Sequence, residues 1–254
     1  MATGRIPLAV PSTIACGSRE RLVYLGHGGD LSAYEELRAG FTAAVSHELR
    51  TPLARLQALL ETAELPGADL QGLLRKAREE VVEMTELVDD VLFLSELEQG
   101  REVVSLGDTE AAPVLRDLVA ELSVRAELGG LRRELRIEDE MIHVPLRRRM
   151  LRLVVENLLE NALRYAGEGA TCTITLRREG DDGVLEVADD GTGVPDEDVP
   201  RLFERFFRSD RARTTRGTGL GLAIVKHVVE SAGGNVEARG GQGRGLDVRC
   251  VFPV

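Results

Sequence analysis

The sequence contains no tryptophan, and its phenylalanine and tyrosine residues make up only 4% of the chain. Broad aromatic surfaces on which nucleic-acid bases could stack are therefore not expected. Positive charge is also in deficit, with 32 lysine and arginine residues against 43 aspartate and glutamate residues and a formal net charge of −11. This balance argues against nonspecific binding to DNA or RNA and against docking on an anionic membrane.

Cysteine and long apolar runs are equally scarce. Cys16, Cys172 and Cys250 lie far apart, with neither the spacing of a zinc site nor that of a disulfide framework. We therefore expect a reducing, cytoplasmic compartment. No run reaches the roughly 18 apolar residues of a membrane-spanning helix, and the apolar stretch at residues 6–15 is short and broken by two prolines. We predict no membrane span in this chain, which leaves open that it is the cytoplasmic part of a membrane-anchored protein.

The chain divides into three regions by its hydrophobic pattern. Residues 1–29 hold one short strand-like run and are either a leader or the remnant of a sensor domain. Apolar residues then recur at steps of three and four, which predicts helices at residues 31–64, with Asp30 as N-cap, and at residues 69–98, ended by Gly100. Beyond a linker near residue 101, helices alternate with strand-like runs, as in an α+β or α/β layer. The helices are predicted at residues 111–128, 147–165 and 220–232, and the strands at residues 135–137, 171–178, 184–188, 235–238 and 246–251.

The two N-terminal helices each carry a single apolar stripe. Such a hairpin cannot bury both stripes well on its own, whereas two hairpins paired into a four-helix bundle can. The sequence therefore predicts a homodimer through residues 31–99.

The stretch SHELRTPL at residues 46–53 lies within the first predicted helix. On a wheel of about 100° per residue, His47 falls nearly opposite the apolar stripe, so its ring should face water. Thr51 follows one turn later on the same face, and Pro52 should bend the helix because it removes a backbone donor. Alone, an exposed histidine on a helix is usually just a solvated side chain.

The predicted helix at residues 147–165 carries Asn157, Asn161 and Arg164 on one face. An amide oxygen is a hard ligand that suits Mg²⁺, and a cation on the same face suits phosphate groups. An ordinary polar helix face is the plain alternative when this pattern occurs alone.

Two glycine-rich stretches flank a run of aromatic and arginine residues. Residues 187–195 (VADDGTGVP) place Asp189 at the end of a predicted strand, where its carboxylate could accept a hydrogen bond from an exocyclic amine. Residues 216–222 (RGTGLGL) open a predicted helix, whose N–H groups and dipole favour an anion. Between them, the arginines of residues 202–208 (LFERFFR) could reach a phosphate. Each stretch also has a plain alternative. Residues 187–195 could be an ordinary Asp-Gly turn, and residues 202–208 could be a short amphipathic helix. Residues 216–222 match neither the dinucleotide fingerprint nor a Walker loop, so they could simply be the start of a helix.

In this order, these stretches resemble the sequence boxes of two-component sensor histidine kinases over residues 31–254. They match the histidine box, the asparagine box, the first glycine box, the phenylalanine box and the second glycine box, at residues 46–53, 157–165, 189–193, 203–208 and 217–222. The resemblance implies a dimerisation and histidine-phosphotransfer domain at residues 30–100 and a Bergerat-type ATP-binding domain at residues 101–254. The expected fold class is α+β: an antiparallel helical hairpin forming a dimeric four-helix bundle, followed by an α/β sandwich.

By the same resemblance, the γ-phosphoryl group of ATP would move to His47 and then to an aspartate on the receiver domain of a response regulator. Glu48 would hydrogen-bond the imidazole and fix its tautomer, and Arg208 would steady the γ-phosphate. Glu48 and Thr51 also resemble the family's phosphatase signature, in which Thr51 would help to position water for dephosphorylation of the regulator.

The resemblance also assigns the ATP and Mg²⁺ site. Asn157 would bind the metal, Asp189 would accept from the adenine amine, and Arg164 stands where the family often has lysine. The full set for the nucleotide is Asn157, Asn161, Arg164, Tyr165, Asp189, Gly191, Gly193, Gly217, Thr218, Gly219, Leu220 and Gly221. One departure is that residues 142–145 (IHVP) replace the Gly-Asp found before the asparagine box in many relatives.

Two other hypotheses compete with the interpretation as a histidine kinase. A Bergerat-type ATPase or a serine/threonine kinase of the anti-sigma type would lack a histidine box on a dimeric hairpin. A catalytically silent scaffold would bind nucleotide and a regulator without phosphoryl transfer. Whether His47 would be phosphorylated by its own chain or by the partner chain depends on the handedness of the turn near residues 64–67.

Overall fold

The computed structural model describes residues 28–98, 107–126, 131–209 and 217–254. The strand-like run within residues 1–27, the predicted stop at Gly100 and the linker at residues 101–106 lie outside these ranges. Helix α1, Gly28–Ala63, and helix α2, Leu70–Glu98, pack against each other as a hairpin.

The ends of the hairpin helices refine two sequence predictions. Asp30 lies inside α1 and is not its N-cap, because Gly28 and Gly29 continue the helical backbone beyond the predicted start. At the other turn, Asp69 precedes α2, and its Oδ1 accepts a hydrogen bond from the Gly72 N–H at 3.1 Å, as an N-cap does.

Ion pairs between α1 and α2 fix the register of the hairpin. Arg55 Nε lies 3.1 Å from Glu80 Oε2, and Arg55 Nη2 lies 3.4 Å from Glu83 Oε2. Because both helices rise equally per residue in opposite directions, His47, eight positions before Arg55, lies level with residues 88–91 of α2.

The remainder of the chain forms a layered α/β unit. Its elements are β1 Thr109–Glu110, α3 Ala111–Ala126, β2 Arg132–Ile137, β3 His143–Val144, α4 Arg148–Tyr165, β4 Thr171–Glu179, β5 Asp182–Asp189, a 3₁₀ turn Val199–Arg201, α5 Gly221–Ser231, β6 Asn235–Gly240 and β7 Leu246–Pro253. Five strands form a mixed sheet in the order β2-β4-β5-β7-β6, in which only the pairing of β2 with β4 is parallel. Strands β1 and β3 pair separately.

One face of the sheet packs against α3, α4 and α5. Along β4 the buried residues Cys172, Ile174 and Leu176 alternate with half-buried threonines, so only alternate residues enter the core. Helix α4 contributes apolar side chains at steps of three and four, namely Met150, Leu151, Val154, Val155, Leu158, Leu159 and Ala162. The predicted fold class, α+β with a helical hairpin before an α/β sandwich, is confirmed.

The sequence-based prediction missed three short features. Strands β1 and β3 have only two residues each, too few for any period to be visible. Strand β2 begins at Arg132 and not at residue 135; its first three residues are all charged and show no apolar alternation, and the exposed positions Arg132, Glu134 and Arg136 lie along an edge strand. Within the described ranges, no helix is both long and apolar enough to cross a membrane.

Candidate functional site

His47 lies on the water-exposed face of α1, as the wheel predicts. Its side chain is 76% exposed, and Thr51 one turn on donates from Oγ1 to the His47 carbonyl oxygen at 3.5 Å. Glu48 Oε1 lies 3.7 Å from His47 Nδ1, which is an ion-pair distance but too long for the expected hydrogen bond. Consecutive residues on a helix point about 100° apart, which keeps the two side chains from meeting closely. Helix α1 continues through Pro52.

A second candidate site is a cavity of about 590 Å³, which we call the motif pocket. It brings together most of the residues that the resemblance assigns to the nucleotide, namely Asn157, Asn161, Arg164, Tyr165, Asp189, Gly193, Arg208, Gly217, Thr218, Gly219 and Gly221. Gly191 and Leu220 are not among its lining residues: Leu220 is fully buried, and a Cβ on Gly191 would stand 2.2 Å from the Ala166 carbonyl oxygen. His47 is not among the described residues that line it.

Helix α4 supplies the polar side of the motif pocket. The Asn157 amide donates from Nδ2 to the Leu153 carbonyl oxygen at 2.9 Å, which turns Oδ1 away from the helix backbone. Arg164 pairs with Glu160 at 3.3 Å, so its charge is partly balanced on its own helix. The predicted common face of Asn157, Asn161 and Arg164 is therefore present and opens into the pocket.

Asp189 also lines the motif pocket, at the end of β5. Its Oδ1 accepts a hydrogen bond from the Gly191 N–H at 2.9 Å, and the carboxylate also accepts one from the Leu246 backbone N–H. Burial raises the pKa of Asp189, while these two N–H groups act to lower the pKa. The segment after Asp189 is tied to α4, because Thr192 donates from Oγ1 to the Tyr165 carbonyl oxygen at 2.9 Å.

The phenylalanine stretch, residues 202–208, contributes Leu202, Phe207 and Arg208 to the lining of the pocket and has an unusual backbone conformation. Phe206 has a φ of 61°, rare for a residue with a side chain, and its N–H donates to the Gly219 carbonyl oxygen at 3.0 Å. This bond joins the phenylalanine stretch to the second glycine stretch. Phe207 packs under the Arg201 guanidinium, 4.3 Å from the ring centre. The alternative of a short amphipathic helix is wrong here, because residues 202–206 form turns.

Helix α2 forms an acidic wall that the sequence-based prediction missed. Glu86, Asp89 and Asp90 line the motif pocket, and Thr218 donates from Oγ1 to Asp90 Oδ2 at 2.8 Å. Arg164 lies 3.7 Å from Glu86. Burial raises the pKa of Asp90, and the hydrogen bond from Thr218 partly offsets this rise. No local pattern marks these acids, because carboxylates are common on exposed helix faces.

The arrangement suits a small anionic ligand with a base at one end. Amide and arginine groups on α4 and backbone N–H groups at the start of α5 can hold phosphates, and the Asp189 carboxylate can accept from an amine. The imidazole that could take up a phosphoryl group stands apart on α1.

Two family models match this chain in the same order as the two structural regions. The model described as "His Kinase A (phospho-acceptor) domain" matches residues 37–100. The model described as "Histidine kinase-, DNA gyrase B-, and HSP90-like ATPase" matches residues 146–254.

Similar curated proteins carry histidine kinase names. The sensor-like histidine kinase SenX3 of Mycobacterium tuberculosis is 32% identical over 99% of this chain and 63% of its own length. The signal transduction histidine-protein kinase BaeS of Escherichia coli is 32% identical over 88% of this chain and 48% of its own length. The chain thus spans under two thirds of the length of these relatives.

Solved structures agree at the level of fold. The histidine kinase AdeS of Acinetobacter baumannii covers 82% of this chain and 97% of its own, with a TM-score of 0.66 and 25% identity. The histidine kinase ThkA, solved in complex with response regulator protein TrrA, covers 91% and 69%, with a TM-score of 0.70 and 21% identity. The chain belongs to the two-component sensor histidine kinases.

Proposed function

We propose that this chain is an ATP-dependent protein-histidine kinase that phosphorylates His47 and passes the phosphoryl group to an aspartate of a response regulator. The observation that carries the proposal is the pairing of an exposed histidine on a helical hairpin with a separate pocket that gathers four of the five motifs. An exposed histidine alone, or a pocket alone, would not indicate that a phosphoryl group moves from a bound nucleotide to the histidine.

The motif pocket is the proposed ATP site. The Asp189 carboxylate would accept a hydrogen bond from the adenine amine, while Arg164, Arg208 and the N–H groups at the start of α5 would face the phosphates. The match of residues 146–254 to a histidine kinase-like ATPase model supports this use of the pocket.

Asn157 fits a magnesium ion. Its Nδ2 is engaged by the Leu153 carbonyl oxygen, which leaves Oδ1, a hard oxygen ligand, beside Gly221 at the start of α5, another residue of the pocket lining. Within the described residues there is no group of three acidic, histidine or cysteine side chains that could hold a metal alone. We therefore propose that Asn157, assisted by Asn161, would share the ion with the ATP phosphates. A bound Mg²⁺ would neutralise phosphate charge.

In the transfer step, a neutral imidazole nitrogen of His47 attacks the γ-phosphorus. The bond from that phosphorus to the bridging oxygen breaks, and ADP leaves. Arg208 would balance charge on the transferred group. Glu48 would approach the imidazole more closely than its present 3.7 Å and so stabilise the cation that forms. The pocket must reach a His47, of the same chain or of a partner chain.

The phosphohistidine would then donate to the aspartate of a receiver domain. The ThkA–TrrA complex, which has this fold, supports a response regulator as the partner. Thr51 is exposed one turn beyond His47. It is suited to position a water molecule that hydrolyses the phosphoaspartate of the regulator. We propose this phosphatase activity as a second function of the same helix face.

We further propose that residues 30–100 act as a homodimeric phosphotransfer domain and residues 101–254 as the ATP-binding domain. The unmatched apolar face of the hairpin supports the dimer. Cytoplasmic ATP and the free thiols of Cys172 and Cys250 suit a location in the cytoplasm.

Two other functions make different predictions for His47 and the motif pocket. A Bergerat-type ATPase or serine/threonine kinase would not need the exposed His47. A silent scaffold would bind ATP in the motif pocket but would leave His47 unlabelled.

The test is incubation of the protein with γ-labelled ATP and Mg²⁺, comparing wild type with His47→Gln. We expect a label that is stable in base, labile in acid and absent from the variant, because phosphoramidate bonds hydrolyse in acid. ATP binding by calorimetry should be the same for both proteins. A label that survives acid would indicate serine or threonine phosphorylation, and unchanged labelling of the variant would exclude His47 as the acceptor.

A further inference from the structure

The turn between β6 and β7, residues 241–245, packs against the first glycine stretch although the two are far apart in sequence. The Gly245 N–H donates to the Gly191 carbonyl oxygen at 3.1 Å, and the Gly243 N–H donates to the Thr192 carbonyl oxygen at 2.8 Å. The segment that follows Asp189 is therefore held by a second backbone segment and not by its own turn alone.

Leu246 extends this contact into the motif pocket. Its backbone N–H is one of the two that bond the Asp189 carboxylate, and its buried side chain lines the pocket beside that carboxylate. The start of β7 thus supplies both an orienting donor for Asp189 and an apolar wall next to it.

The approach of the turn to Asp189 requires a residue without a side chain. Gly245 has a φ of +71°, and a Cβ there would stand 1.7 Å from the Asp189 carbonyl oxygen. Gly243 in the same turn has a φ of +73°, yet a Cβ there would meet nothing within 4 Å. The two glycines share the same backbone demand and differ only in whether Asp189 lies against them.

A side-chain contact ties the outside of the turn to the same loop. Arg244 Nη2 lies 2.9 Å from Asp196 Oδ1, and both side chains are largely exposed. An exposed pair adds little stability, so its removal tests the position of the turn without endangering the fold.

We propose that Gly245 and Leu246 are positioning residues for nucleotide recognition, which hold the Asp189 carboxylate in the orientation that accepts the base amine. This inference rests on the proposed role of Asp189 in ATP binding and extends it to a part of the chain that carries none of the five motifs.

The experiment compares Gly245→Ala with Gly243→Ala in the full chain. Both variants carry the same cost of alanine at a positive φ. We expect Gly243→Ala to bind ATP within about twofold of wild type and Gly245→Ala to bind it roughly thirtyfold more weakly, because only the latter displaces Asp189. The preference for ATP over GTP should fall in Gly245→Ala alone, which a loss of general stability would not cause.

Asp189→Asn and the double variant Asp189→Asn/Gly245→Ala separate the possible failures. If Gly245 acts through Asp189, then Gly245→Ala should add little to the loss already caused by Asp189→Asn. Full ATP affinity in Asp189→Asn would overturn the role of Asp189 and this inference with it. Weak binding in Asp189→Asn, with equal affinities in the two glycine variants, would overturn the inference alone.

Should Gly245→Ala fail to fold, Arg244→Ala carries the test, with Arg136→Ala as the matched loss of an exposed, paired arginine on β2. We expect Arg244→Ala to weaken ATP binding about threefold or more at unchanged thermal stability without nucleotide. Equal ATP affinity in the two arginine variants would then overturn the proposal.

Discussion

Asp247 has a partly buried carboxylate, one oxygen of which lacks a hydrogen-bond partner among the described residues. It lies on the sheet face opposite the helices, and no described residue hydrogen-bonds its buried Oδ1. Burial raises the pKa of Asp247 to about 6, and the nearby charge of Glu186 adds to the rise, against the opposing charges of Arg239, Arg177 and Arg249. The folded protein therefore holds a proton at Asp247 at pH values where the unfolded chain has released it.

The raised pKa of Asp247 makes the folded protein more stable at low pH than at neutral pH. Because the folded pKa is about 6 and the ordinary value is 3.8, the stability associated with Asp247 is fully present below pH 3.8. It is lost as the pH rises through 6. Asp247→Asn removes the buried charge and should stabilise the protein at pH 7.5 by about 1 kcal/mol, after allowance for solvent screening.

Urea unfolding at pH 7.5 and pH 4.5 checks this prediction, with exposed Asp182→Asn as the control. The gain for Asp247→Asn should shrink at the lower pH, while the control should show no gain at either pH. Destabilisation of Asp247→Asn at pH 7.5 would mean that the carboxylate is paired in solution.

The helical hairpin leaves an apolar face uncovered. Most of the large hydrophobic side chains that are exposed in the described residues belong to the hairpin, namely Leu53, Leu60, Leu65, Leu70, Leu74, Val81, Val82, Val88 and Leu92. Leu53 and Leu60 of α1 are seven positions apart, at helical spacing, and both remain exposed within one chain. A second hairpin would cover this face.

Leu60→Glu should therefore dissociate the proposed homodimer. The change removes apolar burial and introduces a charge twice in a symmetric interface, so we expect the dimer dissociation constant to rise about hundredfold. The measurement is analytical ultracentrifugation of Leu60→Glu against Met141→Glu, which alters an even more exposed apolar side chain outside the hairpin. A wild-type monomer at micromolar concentration, or a Leu60→Glu dimer of unchanged strength, would contradict the prediction.

Helix α2 meets the α/β unit at the motif pocket, beside the residues proposed to hold the phosphates. There Asp90 of α2 accepts from Thr218 at 2.8 Å, and Glu86 lies 3.7 Å from Arg164. Thr218 and Arg164 belong to the proposed nucleotide site, so a triphosphate bound there would compete with the α2 carboxylates for the same groups. Like charges a few ångströms apart repel each other by about 1 kcal/mol or more at such a partly buried site.

Asp90→Asn should consequently bind ATP more tightly, by about threefold to tenfold. Asparagine keeps an oxygen that can accept from Thr218, so the substitution removes the charge and spares the hydrogen bond. Calorimetry with ATP and Mg²⁺ compares it with Glu96→Gln, which removes the same charge from an exposed position on α2. Equal or weaker affinity in Asp90→Asn would show that the α2 wall does not oppose the nucleotide.

Local patterns were sufficient for part of the site. The exposure of His47 and the shared face of Asn157, Asn161 and Arg164 follow from helical period alone, because a helix places residues three and four apart together. The end of β5 at Asp189 follows from strand alternation and the glycines beyond it. The left-handed Phe206 could not be predicted, since its conformation is imposed by the bond to Gly219 and not by its own preference.

The family, the order of the two regions and the chemistry available to them are properties of the linear sequence, because they depend on residue types at short spacing. Other features arise only from the folded chain. Leu246 reaches Asp189 through sheet pairing, and α2 meets Thr218 through packing of the hairpin against the sandwich. The motif pocket likewise opens towards α2 and not onto His47. Such long-range contacts are selected by the burial and charge balance of the whole molecule, which no window of neighbouring residues contains.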